Sequence, residues 1–97
     1  MPNDKPFDPD RYLNVYCDWG ASGVWNDRGA ALHPDRLPIP RELGAWILAW
    51  QERFEAFPIE EDLPPEHIRE GEAIVAALRA LLPDWEVEFD APARTRT

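Results

Sequence analysis

The chain has a single cysteine, Cys17, and only five glycines in 97 residues. One thiol excludes an internal disulfide, so the fold is not the stapled scaffold of a small secreted protein. No apolar run approaches the roughly 18 residues that a membrane-crossing helix needs. Residues 1–9, with three prolines and two aspartates, lack the basic-then-apolar order of a secretory leader. The expectation is a cytoplasmic protein with no membrane partner. Positive charge is also scarce, because ten Lys and Arg stand against nineteen Asp and Glu, for a net charge of −9. Nucleic acid is therefore not the expected partner, since phosphate binding is driven by clustered positive charge and counterion release.

What is present is a core. Apolar residues make up 44% of the chain, with five Trp, four Phe and two Tyr, too rich in large side chains for a disordered segment despite eleven prolines. The length suits one domain. We expect a single unit over residues 1–97, with 1–10 and 91–97 as flexible tails.

Residues 11–19 alternate, with Leu13, Val15, Cys17 and Trp19 on one side and Tyr12, Asn14, Tyr16 and Asp18 on the other, the period of a half-buried strand. Gly20-Ala21-Ser22-Gly23 offers a tight turn into a short second strand at Val24 and Trp25. Asn26-Asp27-Arg28-Gly29 is a second turn, and 30–32 is a candidate for a third short strand. Residues 40–57 place Leu43, Trp46, Ile47, Trp50, Phe54 and Phe57 on one helical face, with Gln51 off it. Pro40 suits the first helical turn and Pro58 stops the helix. A second helix runs from about 65 to 82, with Ile68, Ile74, Val75, Leu78 and Leu82 on a wide apolar face and Gly71 placed for close approach. Residues 85–90 alternate again, with Trp85, Val87 and Phe89 inward and Glu86, Glu88 and Asp90 outward. The resulting fold class is α+β: a small antiparallel sheet, made of a β-hairpin plus a C-terminal strand, with two helices packed on one face.

The residues give little sign of catalysis. Cys17 as a nucleophile needs a base, His33 or His67, but its in-strand parity puts it on the core side, as for most free cysteines. His67 itself reads as solvated or as a local cap partner. Asp18, Asp27, His33 and Asp35 match no metal-ligand spacing and read as turn residues. No phosphate loop or nucleophile elbow occurs. The expectation is a protein that is not an enzyme and carries no cofactor.

The remaining signal is the solvent face of the sheet. If the last strand lies beside the first, Tyr12, Tyr16 and Asp18 share a surface with Glu86, Glu88 and Asp90. Trp25 reads first as a core aromatic and otherwise as an exposed anchor at the hairpin end, and Glu60, Glu61 and Asp62 supply charges at the rim. Aromatic anchors set among carboxylates suit a basic protein partner.

The stretch Asp18-Trp19-Gly20-Ala21-Ser22-Gly23-Val24-Trp25-Asn26, followed by Leu37-Pro38-Ile39-Pro40 and by Leu43, Trp50 and Phe54, resembles a group of small, acidic, uncharacterised bacterial proteins. The resemblance spans about residues 12–57. Members of that group are similar in size and charge to the immunity proteins of polymorphic or contact-dependent toxin systems. It implies a binder rather than a catalyst, and the acidic, aromatic surface then suits neutralising a basic toxin, with a nuclease, whose cleft is positive for phosphate, as an attractive target. The alternative is a homodimer or other homo-oligomer, a structural or adaptor protein that pairs through a sheet edge or the Trp25 patch.

Overall fold

The computed structural model describes residues 11–58 and 63–90. Three strands and two helices follow in the order β1 (Tyr12–Val15), β2 (Val24–Trp25), α1 (Arg41–Ala56), α2 (Pro65–Leu81) and β3 (Glu86–Phe89), with a 3₁₀ turn at Pro34–Arg36 before α1. The α+β class holds, and the sheet order is β2-β1-β3. The sheet is mixed, however. β1 and β2 pair antiparallel as a hairpin, whereas β3 runs parallel to β1 with Tyr12 opposite Glu86 and Asn14 opposite Glu88. Parallel neighbours need a long crossover, and both helices lie within the one that joins β1 and β2 to β3. The expected tails 1–10 and 91–97 lie outside the described residues.

One face of the sheet contributes Leu13, Val15, Val24 and Val87 to the core, where they meet Ile47, Trp50 and Phe54 of α1 and Ile74, Val75 and Leu78 of α2. Trp50 is fully buried at the centre of this cluster. Its indole nitrogen donates to the His67 carbonyl at 3.0 Å, so the largest core side chain is polar-satisfied as well as packed. Gly71 lets α2 sit this close. A Cβ at that position would lie 2.6 Å from both Trp50 Cζ2 and Phe89 Cε1. On the outside of the helix pair, Trp46 donates to Glu70 Oε2 at 2.7 Å and Arg53 pairs with the same oxygen. Burial opposes ionisation of Glu70, but the hydrogen bonds from Arg53 and Trp46, with the charges of Arg53 and His67, outweigh it and hold the carboxyl below its usual value.

Both helices start behind proline. Pro40 caps α1 with its carbonyl, which accepts from Leu43 and Gly44. Pro65 occupies the first turn of α2, where a missing N–H costs nothing. Gly23 takes φ +96°, and a Cβ there would press on Ile47 Cγ2 at 3.1 Å, so both the turn and the packing require glycine.

Several expectations are corrected. The first strand ends at Val15, and the chain turns at 18–21 with Ala21 N donating to Asp18 O. Trp19 therefore loses its inward parity and is 48% exposed, resting its ring 5.8 Å from that of Phe54. Residues 30–32 form only a single bridge, Trp25 to Ala31. Gln51 is buried, its amide donating to Asp18 O at 2.6 Å and to Glu55 Oε2 at 2.9 Å. His67 is buried too, stacked on Trp50 with ring centroids 5.1 Å apart. Both polar residues sit at helical spacing on the apolar stripes, where the Gln51 amide N–H groups and the His67 ring find partners while Gln51 Oε1 stays without one.

Candidate functional site: an acidic, aromatic groove on the open sheet face

The pairing of β3 with β1 carries the outward residues of both strands onto one surface. Tyr12 Oη donates to Glu88 Oε1 at 2.7 Å, and Asn14 Nδ2 donates to Asp90 Oδ2 at 2.9 Å. Each bond reaches two residues beyond the residue directly opposite, the diagonal that side chains of this length span on a twisted sheet. Beyond β1, the Trp25 indole of β2 donates to Tyr16 O at 2.7 Å, and the two rings lie 5.9 Å apart at 51°.

Together these side chains wall an open groove of about 390 Å³. Tyr12, Tyr16 and Trp25 supply the rings, and Asp18, Asp27 and Asp90 supply the charge. Among the described residues, none that lines the groove is basic. The local field is visible in the phenols. Tyr12 is pushed up to about 12, first by burial, then by its hydrogen bond to Glu88 and by the charges of Glu88, Asp90 and Glu86. Tyr16 is raised by burial and then by Asp18 and Asp90. Carboxylates gathered on one surface favour a bound cation.

Of the residues named from sequence, the structure gathers Tyr12, Tyr16, Asp18, Trp25 and Asp90 in this groove. Glu88 joins through Tyr12, and Glu86 is exposed at the start of β3. Glu60, Glu61 and Asp62 lie outside the described residues. Asp27 and Asn26 were not singled out as partner-binding residues, yet both line the groove. Their signal is position, since they directly follow Trp25 in a strand that pairs with β1.

A second, smaller cleft of about 260 Å³ adjoins the groove across Tyr12, Asn26 and Asp27. Its character is opposite, with Arg28 and Arg36 at the wall beside Leu32, Leu37 and Trp85.

Cys17 and His67, the nucleophile and base considered above, do come together, with Sγ 3.7 Å from Nε2. They meet inside the core, where Cys17 is 1% and His67 4% exposed, so the thiol has no path to a substrate in this conformation. His33 instead accepts from Asp35 N and caps the 3₁₀ turn. Among the described residues, no group of three or more His, Cys, Asp or Glu side chains is arranged to hold a metal ion. No helix among them is long and apolar enough to cross a membrane. No protein-family model matches the chain, and a search of curated proteins finds no significant match.

Proposed function

We propose that this chain is a binding protein of the immunity or antitoxin kind, acting in the bacterial cytoplasm by seating its open sheet face on a basic toxin. The observation that carries this reading is the groove, in which Tyr12, Tyr16 and Trp25 converge with Asp18, Asp27 and Asp90 and no described lining residue is basic. Aromatic groups anchor protein interfaces, and uncompensated carboxylates both steer a basic partner and pair with its Arg and Lys. A nuclease, whose cleft is positive for phosphate, suits such a surface. Burial of Cys17 and His67 favours binding over catalysis. Self-association through the β3 edge is opposed by Arg79, which donates twice to the outward Val87 carbonyl, at 3.1 and 2.7 Å.

The test uses two baits on extracts of the source bacterium, the native chain and the double variant Asp27→Lys with Glu86→Lys. Both positions are exposed, and neither carboxylate bonds another described residue, so the variant should keep its melting temperature. The reading expects a basic protein held by the native bait, released by salt and missing from the variant. Equal capture by both baits, or recovery of the chain's own copies alone, contradicts it.

A further inference from the structure

The groove's hydrogen-bonding inventory is lopsided. Three of its side-chain donors are already committed inside the protein, Trp25 Nε1 to Tyr16 O, Tyr12 Oη to Glu88 and Asn14 Nδ2 to Asp90, which leaves the Tyr16 hydroxyl and the Asn26 amide as lining donors against the carboxylates of Asp18, Asp27 and Asp90. Acceptors remain in excess. Asp18 uses Oδ1 for the Trp19 amide and Asp90 uses Oδ2 for Asn14, leaving the other oxygen of each carboxylate. Asn14 Oδ1 is shielded from solvent without a hydrogen-bond partner, as is Gln51 Oε1, so neither is an acceptor open to the groove. The rest of the lining adds the rings of Tyr12, Tyr16 and Trp25 and a third carboxylate, Asp27.

Such a groove asks for a ligand that is positive, rich in N–H donors pointing in several directions, and flat enough to lie against aromatic rings. A guanidinium meets all three requirements, with five donors in one plane and a weakly hydrated face that stacks on Tyr and Trp. An ammonium offers three donors around a compact, strongly hydrated point and matches rings less well. The size agrees. At about 390 Å³ the groove is near the lower end of ligand pockets, room for one long side chain and its neighbours.

We infer that the anchor this face receives from its partner is an arginine side chain, seated in the groove with its guanidinium toward Asp18 and Asp90 and its plane against the Tyr16 and Trp25 rings. The inference rests on the proposed function and sharpens it, because it names the chemical group that the surface recognises and separates a specific receptor from a generally acidic face.

The experiment is a titration of the isotope-labelled full chain, followed by the indole N–H resonance of Trp25 and the side-chain amide of Asn14. The probes are four short capped peptides that differ at one position: arginine, lysine, citrulline as the uncharged isostere, and glycine. An oligolysine at low salt serves as a fifth. The expected result is that the arginine peptide shifts both resonances and binds about two- to fivefold more tightly than the lysine peptide, a difference within the range of one exposed cation–π contact, while citrulline and glycine leave them unmoved. Asp18→Asn, which keeps an acceptor for the Trp19 amide, should weaken the arginine peptide while the melting temperature holds. Lysine binding as tightly as arginine, or shifts confined to other parts of the chain, overturns the arginine anchor. If oligolysine nevertheless moves the resonances of β1 and β3, the cation-binding face survives without it. If no cationic probe moves them, both the anchor and the proposed function fall.

Discussion

The Tyr12 hydroxyl donates to Glu88 at 2.7 Å, joining residues 76 positions apart across the parallel pair β1–β3. This one bond ties the start of the described chain to its end and places an aromatic ring and a carboxylate side by side on the open face. Formation of the groove and completion of the sheet are thus the same event.

That relationship makes an alkaline signature. The Tyr12 phenol rises from the usual 10 to about 12 when the chain folds, so between those values the folded state keeps a proton that the unfolded chain has released. Its contribution to stability is whole below pH 10 and is lost as pH rises through 12. Ultraviolet titration of tyrosinate should show Tyr12 ionising later than a free tyrosine, and Tyr12→Phe should flatten the fall of stability across that window. Two tyrosines titrating near 10 in the folded protein would contradict the arrangement.

Gly71 gives a sharper test of the packing behind the sheet. Gly71→Ala gains about 1 kcal/mol of helix propensity, but its methyl group meets Trp50 and Phe89 at 2.6 Å, and overpacking of this kind costs about 1–3 kcal/mol. Both neighbours are large rings that also pack on each other, with centroids 6.3 Å apart, so the cost should win. Denaturant unfolding is expected to show net destabilisation; a more stable variant would mean that α2 has room to move away from β3.

Arg79 guards the outer edge of β3 by filling the Val87 carbonyl. Removing it in Arg79→Met keeps the aliphatic stem but bares an edge able to pair with another chain. Sedimentation at rising concentration should show the native chain unchanged by the edge and the variant self-associating. A native dimer that persists in Arg79→Met, insensitive to salt, would favour the homo-oligomer reading.

Much of this architecture is legible in the residues because periodicity carries it. The stripes of Leu43, Ile47, Trp50 and Phe54 and of Ile74, Val75 and Leu78 locate both helices, and strict alternation at 85–90 locates β3. The direction of β3 was not legible, since alternation is identical for parallel and antiparallel neighbours and only the crossover decides. Trp19 was misplaced because alternation was extended through a turn whose backbone bond, Ala21 to Asp18, leaves no mark in hydropathy. Gln51 and His67 lie at stripe positions, but their polarity argued for solvent until long-range partners were known. The groove was legible as to its strand residues, by parity, whereas Asn26 and Asp27 reach it through a turn that only the three-dimensional path of the hairpin aligns with β1.

The most direct measurement is carboxylate footprinting of the chain free and in complex with the basic partner captured by it, using carbodiimide labelling read by mass spectrometry. The account predicts that Asp18, Asp27, Glu86 and Asp90 label in the free protein and are protected in the complex, while Glu42, Glu52 and Glu72, exposed on the helices, label equally in both. Protection of the helix carboxylates with an unchanged sheet face would contradict it.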